Sequence, residues 1–132
     1  MFEEDQSFIF TEDELIKLCR EWQECLRLEF WSIALRIARA REFDLENSQG
    51  ECHWTLSTAV ATIKILDPAD YPITPFKQDM EKTLVHELLH LHFCSFDTTE
   101  PKSLAESMME RTIDHLARAL VTLKREAKEV KT

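Results

Sequence analysis

Apolar residues change their period twice along this 132-residue chain, and that change restricts the fold more than any other feature. Towards both ends they recur every three to four positions, as on a helix with one buried face. Between Trp31 and Leu66 they alternate, as on a half-buried strand. Helical segments flanking a short strand region predict an α+β domain.

Thr11 and Glu14 have the spacing of a capping box, and Leu15, Leu18, Cys19, Trp22 and Leu26 follow at helical intervals. Together they predict a helix over about 12–28. Trp31, Ile33, Leu35 and Ile37 alternate with Ser32, Ala34, Arg36 and Ala38, the pattern of a first strand. Turn residues at Glu46–Gly50 precede a second run from Trp54 to Leu66, with Ala59, Ala61, Ile63 and Ile65 on one side. The two runs predict a small antiparallel sheet, with room for a third short strand. Prolines at 68, 72 and 75 end it, since proline cannot extend a ladder. A helix is expected over about 76–93 and another over 103–128, with Met109, Ile113, Leu116, Leu120 and Leu123 as its core stripe. Trp22, Trp31 and Trp54 are expected in the core.

The length suits a single domain spanning 1–132. A net charge of −9 opposes binding to a phosphate backbone, so no nucleic-acid partner is expected. No apolar run approaches the ~20 residues of a membrane span, and the acidic start Met1–Gln6 differs from a basic signal-peptide region. A cytoplasmic protein is therefore expected. Cys19, Cys25, Cys52 and Cys94 contain no CxxC pair and are expected as free thiols.

Residues 86–90 read His-Glu-Leu-Leu-His. Four residues apart on a helix, His86 and His90 project from one face and can offer two imidazole nitrogens to one Zn²⁺ ion. Glu87 sits beside them as a candidate general base. The flanking Leu84, Val85, Leu88, Leu89 and Leu91 make bare imidazoles costly without a partner. On the last helix Glu106, Glu110 and Asp114 share one side with Ala117 and Val121, so the carboxylates adjoin apolar surface. Glu110 is the candidate third ligand and Glu106 its rival, although Ser103 and Glu106 also have capping-box spacing. Asp114 could orient a ligand histidine or simply pair with Arg118 at i+4. His92 points about 200° from His90, and His115 about 140° from Glu110, so neither is expected to join them.

The string His86-Glu-Leu-Leu-His90 followed by Glu110-Arg-Thr-Ile-Asp114 resembles the thermolysin-like (gluzincin) pattern H-E-x-x-H … E-x-x-x-D. The wider Thr83–Phe93 stretch resembles small zincin-like metallopeptidases of bacteria and their phages, with more distant kinship to SprT-like and phage-repressor-directed metallopeptidases. The resemblance covers about residues 81–121. It implies a zincin-like domain, zinc bound by His86, His90 and Glu110, Glu87 as base, and a peptide or protein substrate. It also implies that a strand of region 54–66, near the sheet edge, takes an extended peptide by β-augmentation. Nothing in the 132 residues corresponds to the second domain of thermolysin-like enzymes, and only Tyr71 and His53 are available to stabilise an oxyanion. An alternative of another class is a non-catalytic, zinc-stapled interaction module, in which Cys94 or His92 would close the coordination shell. Oligomeric state is not expressed in the sequence.

Overall fold

The computed structural model describes residues 7–131; the acidic Met1–Gln6 segment lies outside them. Its elements are α1 (Glu12–Cys25), β1 (Ser32–Ala38), β2 (Gly50–Thr55), β3 (Val60–Leu66), α2 (Met80–Phe93) and α3 (Leu104–Lys131), an α+β arrangement. Among the described residues, no helix is long and apolar enough to cross a membrane.

The Thr11 hydroxyl accepts from Glu14 N and the Glu14 carboxylate accepts from Thr11 N, so the capping box forms and starts α1. This helix ends three residues earlier than the periodicity suggested, because Arg27 turns to a positive φ of 61° and redirects the chain into β1. Helix α2 begins at Met80 rather than Phe76, where the Asp79 carboxylate accepts from Lys82 N and caps it.

The sheet corrects the expected antiparallel pairing. Its strand order is β1-β3-β2, with β1 parallel to β3 and only β2 antiparallel to it. The apolar run from Trp54 to Leu66 is two strands, broken at 56–59 by a turn in which Ala59 N donates to Leu56 O. Alternation determines which face of a strand is buried but not its neighbour or direction, so the pattern alone could not separate these topologies. On the inner face Ile33, Leu35 and Ile37 stand beside Ala61, Ile63 and Ile65 of β3, and all six pack into the core.

Helix α2 lies in the middle of that core. Leu84, Val85 and Leu88 are fully buried, Leu89 and Leu91 nearly so, between the sheet, α1 and α3. Truncating any of these leucines to alanine should cost about 2–5 kcal/mol through lost burial and the cavity left behind. The core stripe of α3 is rotated from the expected one. Ile113, Ala117 and Val121 are buried, whereas Leu116 and Leu123 are exposed. The rotation places Glu110 and Asp114 at the margin of the buried face, towards α2.

Candidate metal centre

Buried leucines and Val85 hold α2 rigidly enough to fix two histidines on its exposed margin. The His86 and His90 rings lie 5.3 Å apart between centroids and are mostly buried. The Glu110 carboxylate meets both. Its Oε2 is 3.0 Å from His86 Nε2 and its Oε1 is 2.9 Å from His90 Nε2. Hydrogen bonds from the two imidazoles hold the Glu110 carboxyl well below the usual carboxylate range. Burial would lower the His86 pKa, but the Glu110 hydrogen bond and the nearby carboxylates outweigh it and raise it.

Asp114 lies one turn further along α3. Its Oδ1 is 3.4 Å from His86 Nδ1 and 3.2 Å from Lys82 Nζ, and Oδ2 accepts from Arg118 Nε at 2.8 Å. Burial opposes ionisation, yet Arg118 and Lys82 bring its pKa down to about 2. Asp114 is placed to accept a proton from His86 Nδ1, which would leave Nε2 free to offer its lone pair to a cation in place of its hydrogen bond to Glu110. Both anticipated relationships of Asp114, to a histidine and to Arg118, therefore occur in the same side chain.

Glu87 lines the same groove as the histidines and lies against β2 at Gly50. It is only 7% exposed, and burial pushes its carboxyl pKa up despite the adjacent imidazoles. Gly50, the only glycine in the chain, makes this approach possible. A Cβ there would stand 2.6 Å from Thr83 Cγ2 and 3.0 Å from Glu87 Oε2. A groove of about 530 Å³ runs past these groups, with the β2 backbone from Gly50 to Trp54 along one side and α2 and α3 along the other.

The wall of that groove is a strand edge with no neighbouring strand among the described residues. Leu66 N donates to Gln49 O at 2.9 Å, which sets the phase of the β2–β3 ladder. Odd-numbered residues of β2 therefore turn their backbone polar groups towards β3, and Gly50, Cys52 and Trp54 present theirs outwards. The strand expected to receive a peptide needs correction accordingly. β3 is central and paired on both sides, so the available edge beside the histidines is β2. Trp54 is likewise no core residue. It is 38% exposed and stacks on His90, with centroids 6.4 Å apart and planes inclined by 18°. Gly50, Cys52 and Trp54 escaped the sequence reading because nothing in their spacing ties them to α2; the solitary glycine was the one available signal.

The other candidates are engaged elsewhere. Glu106 accepts from Lys102 N at 2.9 Å while its own N–H donates to Ser103 Oγ, so it helps to start α3. His92 Nε2 meets Leu26 O at 2.6 Å, Cys94 Sγ donates to Leu91 O, and His115 is exposed. Tyr71 donates its hydroxyl to Phe76 O. His53 Nε2 lies 3.2 Å from Asp44 Oδ2 and 3.5 Å from Glu51 Oε2, a second close group of metal-capable side chains. There Lys64 Nζ, 3.8 Å from the same Glu51 oxygen, already supplies positive charge, and Glu51 Oε1 accepts from Asp44 N and Leu45 N to hold the preceding loop. All four cysteines are unpaired.

Two mostly buried imidazole nitrogens and one exposed carboxylate, converging within 4.8 Å, suit a borderline-soft divalent cation such as zinc. Among the described residues no further His, Cys, Asp or Glu joins this group, so these residues supply three donors. Comparison with known protein families, curated proteins and solved structures finds no match to the chain.

Proposed function

We propose that this protein is a zinc-dependent hydrolase of the zincin type, a metallopeptidase whose ion is held by His86, His90 and Glu110. The observation that carries the reading is the Glu110 carboxylate spanning both imidazoles beside a groove walled by the outer edge of β2. A structural zinc site usually has four protein ligands, whereas a catalytic one leaves a position open. With His92 and Cys94 engaged elsewhere, a three-donor set supports the enzyme over the zinc-stapled interaction module.

Bound zinc would supply a Lewis acid that activates water and polarises a carbonyl. The chain's own groups do the rest. Gly50, Cys52 and Trp54 offer outward N–H and C=O groups to an extended peptide, which binds as an added strand. Glu87, held against the strand at Gly50, accepts a proton from the attacking water and returns it to the departing amine. Asp114 keeps the His86 ring in one tautomer and orientation.

Metal analysis of the purified protein, together with peptide hydrolysis by wild type and Glu87→Gln, tests the proposal. It expects about one zinc per chain in both proteins, with hydrolysis in the wild type alone. Protein without zinc overturns the metal site, and zinc-loaded wild type that cuts no peptide overturns the peptidase.

A further inference from the structure

The groove does not stop at the histidines. Past Gly50 it opens into a second pocket of about 560 Å³, lined by Lys77, Lys82, Arg118 and Arg125 with Gln49 and Tyr71; Gln49 and Lys82 belong to both cavities. Four cations in one place are notable in a chain of net charge −9. Three of them, Lys77, Lys82 and Arg118, have few acidic partners among the described residues. Asp79 holds Arg125 with two hydrogen bonds of 2.8 and 3.0 Å, and Asp114 is shared between Lys82 and Arg118. Glu81 also reaches Arg125 but is matched by Lys124. Exposed Lys77 makes no ion pair among the described residues. Arg125 is therefore satisfied, whereas Lys77, Lys82 and Arg118 face a single paired carboxylate, Asp114, among the described residues.

The opposite end of the groove has the other sign. Glu106, one turn before Glu110 on α3, lines it on the side where the Trp54 indole covers His90, and Asp44 lines it beside His53. The axis therefore runs from an aromatic, acidic end at Trp54 to a basic end beyond Gly50. β2 itself runs from Gly50 to Thr55, away from the basic pocket. A peptide adding antiparallel to its outer edge, the slightly more stable pairing, enters past Trp54 and leaves past Gly50. Its residues C-terminal to the scissile bond then reach Lys82, Arg118 and Lys77.

We propose that this basic pocket is a subsite for acidic residues on the C-terminal side of the cleaved bond, which makes acid-tailed peptide segments the preferred substrates. The inference rests on the peptidase reading for its orientation, but the pocket can be tested without catalysis. Zinc-loaded Glu87→Gln protein is titrated with three fluorescent peptides of equal length. One has an apolar first half and an aspartate-rich second half, one has asparagines in place of the aspartates, and one has the two halves exchanged. The first should bind about tenfold more tightly than the others, as expected of a few partly exposed ion pairs. The advantage should shrink as ionic strength rises and should vanish or invert in a protein also carrying Lys77→Glu. Equal affinity for all three peptides overturns the subsite, and tight binding of the exchanged peptide overturns its direction. Wild-type protein tested on the same peptides separates the two claims. Selective binding without cleavage removes the peptidase and keeps the subsite, while cleavage without charge preference does the reverse.

Discussion

Helices α2 and α3 meet along one interface that is built in two different ways. At its closed end, α2 and its cap contribute the acids Glu81 and Asp79, and α3 answers with Lys124 and Arg125. Glu81 also accepts from Trp22 Nε1 at 2.8 Å, so its buried carboxylate is fully matched from within the chain. Two turns along, the roles change. α2 presents His86 and His90, α3 presents Glu110 and Asp114, and the groups facing one another are mainly acceptors that need a proton or a cation between them. The first arrangement completes itself and serves the fold. The second is complete only with something added, and that is the mark of a functional site.

The contrast predicts that damage at one end should affect stability and damage at the other should affect chemistry. Glu87→Gln is the most severe test of the open end. It keeps the shape of the side chain but removes its ability to accept a proton, so peptide hydrolysis should fall about 10²–10⁴-fold. Zinc content and thermal unfolding should be unchanged. A variant that loses zinc or unfolds early would place Glu87 on the structural side of the comparison.

Glu81→Ala is the counterpart at the closed end. Removing one partner of a buried ion pair leaves Lys124 without its carboxylate, while Arg125 keeps Asp79, and should cost about 3–5 kcal/mol in urea unfolding, with zinc affinity unaffected. The effect should depend on pH with a defined sign. Burial raises the Glu81 pKa, but Lys124, Trp22 and Arg125 more than reverse this and hold it below its unfolded value. Its contribution is therefore fully present above the ordinary glutamate pKa of ~4.3 and fades as pH falls through the lowered folded value. The stability gap between wild type and Glu81→Ala should be full at neutral pH and close in acid. A gap that widens on acidification would contradict the ion-pair account.

The open end was more legible in the sequence than the sheet beside it, for a physical reason. Helical spacing couples residues three and four apart, so His86 with His90, and Glu110 with Asp114, could be placed on shared faces before any tertiary contact was known. Buried Ala117 and Val121 also marked the side of α3 that turns inwards. Strand alternation carries less information. It identified the buried faces of β1 and β3 but not their parallel pairing, nor the insertion of β2 as the outer strand. Long-range pairs such as Trp22–Glu81, 59 residues apart, leave no local pattern. The rotated stripe of α3 has the same origin, since Leu116 and Leu123 are apolar but α2 covers only the neighbouring face.

Asp114→Asn should have a smaller effect and should distinguish an orienting role from simple pairing with Arg118. The amide can still occupy the space beside His86 Nδ1, but it lacks the negative charge that strengthens the interaction. Zinc affinity should fall about 10–100-fold, the usual consequence of losing the partner that orients a ligand histidine. The companion Arg118→Gln leaves the His86 contact in place and should change zinc affinity much less. Equal losses in the two variants would show that Asp114 acts through its ion pair.

Gly50→Ala should have the smallest effect on the fold and tests how the sheet and the open end of the helix pair are joined. The added methyl overlaps Thr83 Cγ2 and crowds Glu87 Oε2, so β2 must move away from α2 or Thr83 must rotate. Overpacking of this kind should cost about 1 kcal/mol in unfolding free energy. His86, His90 and Glu110 are not among the groups displaced, so zinc should bind as before. Hydrolysis should decline nevertheless, because the shift alters the distance between the base on α2 and a peptide carried by β2. Thr83→Ser removes the offending methyl and should restore part of the lost activity when combined with Gly50→Ala. If Gly50→Ala reduced zinc affinity instead, the metal ligands would depend on the sheet. The helix pair could then no longer be regarded as the sole scaffold of the ion.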